Sequence, residues 1–198
     1  MPDQFIPQII GLVLEGWAVF EKPPEDALEV QITKKFCVCL RGCKRERHLP
    51  FRIWAESMEL DPESGSERGR LDLRFVCGCR EDVYFAFECK RLNVVDHRGK
   101  RRSLAPEYVE QGMMRFVEGK YARGLDKGGM LGYVMDGRTL AAIEAVDKAV
   151  GRRRRQLRLV GAGLESSPVR PDEPRVRQTR HELAVGPLLI HHVFLAVG

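Results

Sequence analysis

Two carboxylates and one ammonium, set at strand spacing, are the residues of this chain best suited to chemistry. Asp72 lies in the run 71–76, Glu88 and Lys90 lie in the run 83–90, and a short Cys-Gly-Cys-Arg-Glu-Asp turn joins the two runs. Both runs alternate at period two and carry β-branched or aromatic residues, which predicts the two strands of a hairpin. Side chains alternate along a strand, so Asp72 is expected opposite Leu71, Leu73 and Phe75, while Glu88 and Lys90 share a face opposite Phe85, Phe87 and Cys89. A hairpin symmetric about Arg80 sets Asp72 across the ladder from Glu88, with Cβ atoms roughly 5 Å apart. Carboxylates that close repel one another unless positive charge stands between them, and a hard divalent cation with oxygen ligands meets that need. Lys90 would then project beside the ion, able to steady a nucleophilic water or a phosphoryl oxygen. The plainer reading is a solvent-facing hairpin with an ordinary salt bridge.

The flanking elements must position these groups. Residues 1–22 hold Ile6, Ile9, Ile10, Val13, Leu14, Trp17 and Phe20 at helical spacing, an amphipathic helix whose stripe needs either the domain core or a partner chain, as in a homodimer or larger complex. The remainder, 23–198, is read as one domain. Glu25 and Asp26 after Pro23-Pro24 start a helix to about Gly42, with Leu28, Ile32, Phe36, Cys39, Leu40 and Cys43 as its buried side. Residues 51–58 alternate as a strand that sets Glu56 on the face of Trp54 and Met58, and 59–70 form a loop with Asp61-Pro62 and Ser64-Gly65-Ser66. Pro106 opens a helix to about Ala122, with Gln111, Arg115 and Lys120 as its polar groups. Residues 128–135 then form a buried strand parallel to the one bearing Glu88, after a helical crossover. A helix over 139–155 ends in four arginines. Residues 156–160 read as a short strand, 161–175 as a loop-rich segment, and 185–197 as a final strand. This order describes an α/β fold, a mixed central β-sheet flanked by helices.

Asp72, followed after a hairpin by Glu88-Cys89-Lys90, resembles the core motif of the PD-(D/E)xK superfamily of restriction-endonuclease-like nucleases, over roughly residues 25–135. Leu71 stands where that motif has Pro. The resemblance implies that Asp72 and Glu88 bind magnesium or manganese, that the backbone carbonyl of Cys89 adds a ligand, and that Lys90 assists attack by water. It implies a further acidic residue from the first core helix, for which Glu29 is the candidate and Glu56 the second. It also implies a glutamine on the helix after the Glu88 strand, which Gln111 resembles. The implied activity is metal-dependent hydrolysis of phosphodiester bonds in DNA, with RNA left open, in a setting such as bacterial or phage defence or DNA repair. A nuclease-fold subunit that binds nucleic acid or assembles without turnover is the alternative.

Composition agrees with a polyanionic partner. The net charge of +5 is modest, but Lys and Arg cluster at 34–35, 41–47, 98–102 and 152–155, and Arg91, Arg98, Lys100, Arg101 and Arg102 come directly after the proposed site, where phosphate contacts would fall. A 43% hydrophobic content can fill a sizeable core. Six cysteines without a secretory signal point to a reducing, cytoplasmic setting. Cys37, Cys39, Cys43, Cys77, Cys79 and Cys89 lack a ligand pattern and are expected to be buried thiols, and His181, His191 and His192 are expected to be structural. The apolar stretch 9–20 contains Glu15 and is too short to span a bilayer.

Overall fold

Apolar residues at helical spacing near the N-terminus form one side of α1 (Ile6–Val19), where Ile6, Ile9, Ile10, Leu12, Val13 and Trp17 are buried. The computed structural model describes residues 3–60, 64–78, 82–96, 98–120 and 125–197. Asp61, Pro62, Cys79, Arg80, His97 and Ala122 lie outside them. α1 packs against α2 (Glu29–Glu46), and Gly16 lets the two helices close: a Cβ there would stand 2.7 Å from Leu40 Cδ2. The Trp17 indole stacks on Tyr133 at 5.5 Å and donates through Nε1 to the Ala196 carbonyl at 2.7 Å. The stripe of α1 is therefore covered by this chain's own core.

α2 begins four residues later than its acidic start signal suggests. The chain after Pro23-Pro24 first makes a turn, with Ala27 N–H donating to Pro24 O, so Glu29 is the first helical residue rather than one turn inside. The buried side is Ile32, Thr33, Phe36, Cys37 and Leu40, whereas Leu28 is exposed and Cys39 and Cys43 are half-buried. The five described cysteines, Cys37, Cys39, Cys43, Cys77 and Cys89, are free thiols, and only Cys37 and Cys89 are buried.

The chain continues through β1 (Phe51–Leu60), β2 (Glu67–Cys77), β3 (Tyr84–Leu92), and a small hairpin of β4 (Val94–Val95) and β5 (Arg101–Arg102). Next come α3 (Ala105–Tyr108), a π-helical stretch (Val109–Met113), α4 (Met114–Val117), β6 (Lys127–Val134), α5 (Thr139–Arg152), β7 (Leu159–Ser166), β8 (Val176–Leu183) and β9 (Gly186–Ala196). Among the described residues one seven-stranded sheet runs β1-β2-β3-β6-β9-β8-β7. β3, β6 and β9 are mutually parallel at its centre, and the strands on either side pair antiparallel. The fold is thus α/β, a mixed sheet flanked by helices, with α1 and α2 over one face and α3, α4 and α5 over the other. No described helix is long and apolar enough to cross a membrane.

Central parallel strands are covered on both faces: β6 accordingly reads as a near-continuous apolar run, and β3 is buried at every position but Lys90 and Arg91. Two glycines of β6 make room for aromatic rings. A Cβ on Gly128 would stand 2.7 Å from Phe116 of α4, and one on Gly129 would stand 2.3 Å from Phe87.

Three expectations fail at the sheet margins. Glu56 adopts φ 51°, outside the extended region. Leu71 packs in the core under α3 to α5, while Leu73 and Phe75 pack in the core under α1 and α2. Trp54 and Met58 are exposed, and Glu56 does not lie on a buried apolar face. Finally, 156–158 is turn rather than strand, 161–166 is strand rather than loop, and 176–183 is a strand that its polar sequence conceals.

β8 is joined to β9 and α3 by a buried chain of polar groups whose protons can be placed. His181 Nδ1 faces the Leu157 carbonyl at 2.7 Å, so it carries hydrogen and its Nε2 accepts from the Thr179 hydroxyl at 2.8 Å. Thr179 Oγ1 then accepts from His192 Nε2 at 2.9 Å, and His192 Nδ1 accepts from the Tyr108 hydroxyl at 3.0 Å. Burial holds both imidazoles below their ordinary pKa and therefore neutral, as this order requires.

Candidate functional site

Strand register brings the charged groups together. Leu73 pairs with Phe87, so one step further along the antiparallel ladder sets Asp72 beside Glu88, as symmetry about Arg80 requires. Asp72 Oδ2 accepts a 2.7 Å hydrogen bond from the Cys89 backbone N–H. Two residues past Glu88 on the same face, Lys90 donates to Glu88 Oε1 at 2.7 Å, to Glu29 Oε1 at 3.1 Å and to the carbonyl of Cys89 at 2.9 Å. The ammonium thus sits where two carboxylates and the Cys89 carbonyl converge.

Glu29 reaches this site because α2 starts there. Its Oε2 accepts from the Arg91 backbone N–H at 3.0 Å, and the Arg91 guanidinium in turn donates to the Ala27 carbonyl at 3.0 Å. Arg91 therefore pins the segment before α2 onto the end of β3 rather than pointing at a ligand. Glu56 takes a different partner, Lys34 of α2 at 2.5 Å, and it is Glu29 that meets Lys90.

The π-helical stretch supplies the far wall. A Cβ on Gly112 would stand 2.4 Å from Met130 Cε and 3.6 Å from Lys90 Cγ, so the helix backbone rests on the lysine stem. A π turn carries an extra residue and rotates the helix beyond it, and such turns recur at functional sites. Gln111 is consequently exposed, and Arg115 of α4 is the residue that reaches inward, donating to Glu88 Oε1 at 2.8 Å. The sequence marks Arg115 only as a polar group of its helix, because nothing in the residue types announces the π turn.

Downstream, Asp96 Oδ1 accepts from the backbone N–H groups of Arg98 and Lys100, which shapes the turn between β4 and β5. The Arg101 guanidinium pairs with Asp136 at 3.1 Å and that of Arg102 with Glu107 at 3.3 Å, both more than half exposed. The hairpin thus presents a basic, exposed surface.

Electrostatics at the centre are strained. Glu88 is 1% exposed, and burial, then the neighbouring Asp72 charge, pushes its carboxyl up to about 8 despite Lys90 and Arg115. Burial lifts Asp72 to about 6 against its hydrogen bond from Cys89 and the charge of Lys90. Burial alone would pull the Lys90 ammonium down, but Glu88 and Glu29 outweigh it and hold it above its ordinary value. Glu88 Oε2 is buried without a hydrogen-bond partner.

That orphaned oxygen bears on whether the residues suit a divalent cation. A hard cation takes carboxylate and carbonyl oxygens, and Glu88 Oε2, Asp72 and the Cys89 carbonyl are such donors. Among the described residues no ready-made group of three or more His, Cys, Asp or Glu surrounds a single point, since Lys90 occupies the centre. The donor set fits the ion in type. Comparison of the chain with protein-family models, with curated proteins and with solved structures finds no match.

Proposed function

We propose that the chain is a metal-dependent nuclease that hydrolyses phosphodiester bonds in DNA, as its resemblance to the PD-(D/E)xK nucleases implies. The observation that carries this reading is a buried Glu88 with one oxygen shared by two cations and the other unpaired, beside an Asp72 whose charge it resists. A fold that needed only a salt bridge gains nothing from burying a second carboxylate there, because desolvation works against both. Paired carboxylates with raised pKa next to a cation are instead a usual mark of a reactive site.

Asp72 and Glu88, with the Cys89 carbonyl, would hold magnesium or manganese. The ion's contribution is to polarise the phosphate and acidify a water molecule. Lys90, anchored by Glu29 and packed under Gly112, holds a positive charge where negative charge develops on the phosphoryl oxygens. Glu29 acts by positioning Lys90. Exposed Arg98, Lys100, Arg101 and Arg102 supply sequence-independent attraction to the backbone.

The test is incubation with circular and linear DNA, single- and double-stranded, in magnesium, manganese or chelator. Cleavage that requires the ion and is lost in Asp72→Asn supports the reading. Affinity for DNA that persists in chelator, with no cleavage in either metal, would replace it with a binding or assembly subunit.

A further inference from the structure

The sheet face that carries Glu88 continues past the site to the edge strand β1. Side chains alternate along β3, so Glu88 shares its face with Ala86 and Tyr84. The Arg74 guanidinium lies over the Tyr84 ring at 4.3 Å, and Arg74 pairs with Trp54 across β1 and β2, which sets the indole on that same face. Ala86 pairs with Arg74 in turn, so Trp54 stands two strands over and two residues back from Glu88, about 12 Å away at ordinary strand spacings. It is 46% exposed there, whereas Trp17, the chain's other tryptophan, is 3% exposed. The surroundings are basic. Arg41 of α2 donates through Nε to the Ile53 carbonyl at 2.8 Å, which fixes its guanidinium 5.5 Å from the indole centroid. Lys44 and Arg45 follow Arg41 at i+3 and i+4 and so lie on its side of α2. An aromatic ring among cations is the arrangement that holds single-stranded nucleic acid, whose bases stack on the ring while the cations track the backbone. A base inside a duplex is already stacked and paired, so only an unpaired base has a face to offer.

We infer that Trp54 is a stacking platform for an unpaired base a few nucleotides from the scissile phosphate, with Arg41, Lys44 and Arg45 along the backbone beyond it, so that the substrate is DNA with a single-stranded segment. The scissile phosphate in this statement rests on the nuclease reading above; the stacking does not. Met58 and Leu60 are also exposed on β1, which makes a second copy of the chain the competing occupant. The cations beside Trp54 argue against it, because a copy would bring its own cations to the same place, whereas a polyanion is drawn there.

The test is binding in chelator, where nothing is cut, of a short single-stranded DNA, the same strand made of abasic sites, and a relaxed closed-circular duplex. Tryptophan emission reports Trp54, since Trp17 is buried, and it should be quenched by the single strand and not by the circle or the abasic strand. Trp54→Ala should bind the single strand about tenfold more weakly, the worth of one base stacked on an aromatic ring, with Trp54→Phe recovering most of the loss. Affinity for the circle and for the abasic strand should be the same in the parent and in Trp54→Ala. Absent quenching, an equal loss for single strand and circle, or a dimer that Trp54→Ala dissociates while single-strand affinity stays level, would overturn the inference and leave metal-dependent cleavage by the parent chain to support the nuclease reading. Quenching by the single strand with no cleavage in magnesium or manganese would keep the platform and overturn the nuclease reading instead. A parent chain that binds no DNA and cleaves none would overturn both.

Discussion

Asp72 Oδ2 and the backbone N–H of Cys89 are 2.7 Å apart, so the first carboxylate is fixed to the peptide between Glu88 and Lys90. An asparagine keeps an acceptor for that N–H and removes the charge that raises Glu88. Asp72→Asn should therefore raise the melting temperature by about 2–4 °C at pH 8, the shift that about 1 kcal/mol produces in a chain of this size. It should also abolish any stabilisation by magnesium, since a ligand that binds only the native state stabilises it. Thermal melts with and without the ion test both parts, and a variant still stabilised by magnesium would remove Asp72 from the ligand set.

Lys90 rests its stem under Gly112, so Lys90→Met keeps the packing and deletes the charge. Cleavage should be lost, while DNA affinity in calcium changes little, because one charge is a small part of a many-phosphate contact. Retained cleavage in a folded Lys90→Met variant would sink the mechanism.

Replacing Arg98, Lys100, Arg101 and Arg102 together should do the reverse. Binding should weaken at every DNA sequence, and its salt dependence should flatten in proportion to the number of phosphates no longer neutralised. The fold should survive, because Asp136 keeps Arg138 at 2.8 Å after Arg101 is gone. An unchanged salt slope would place the DNA elsewhere on the surface.

The pH response is set by the raised carboxyls. Folded Glu88 keeps its proton to about 8 and Asp72 to about 6, against ordinary values of 4.5 and 3.8. The unfolded chain has released both by then, so across that window the folded state binds more protons and stability falls as pH rises. A divalent ion must displace those protons. The gain in melting temperature from magnesium should thus be small at pH 6 and large at pH 9. A gain independent of pH would show that Glu88 is not a ligand.

The buried imidazoles act at the other end of the scale. His181, His191 and His192 are held below 6.5 chiefly by burial, His191 to about 4. Below pH 6.5 the unfolded chain takes up protons that the folded chain refuses, so their effect is to lower stability as pH falls from 6.5 toward 4. Tyr108→Phe, which leaves His192 Nδ1 without its donor, should cost about 1–3 kcal/mol. Denaturant unfolding at pH 7 measures this, and a cost near zero would contradict the proton order assigned to the chain.

Period-two alternation determined the β2–β3 hairpin, and parity along it determined that Glu88 and Lys90 share a face, because a strand offers a side chain only two directions. Equal distance from the turn likewise set Asp72 against Glu88. Apolar run length identified β6 as a buried parallel strand and helical spacing identified α1 and α5. What the residues could not reveal depended on how distant elements meet. Of the two acidic candidates, Glu29 meets Lys90 because the turn after Pro24 delays α2 until that residue, whereas Glu56 pairs with Lys34 of α2. Arg115 replaces Gln111 because a π turn, which has no composition of its own, rotates the helix over Gly112. β8 was illegible for a related reason: its polar Gln178, Thr179 and His181 are buried in spite of their chemistry, and for Thr179 and His181 the partners that make this tolerable, Leu157 and His192, come from other parts of the chain.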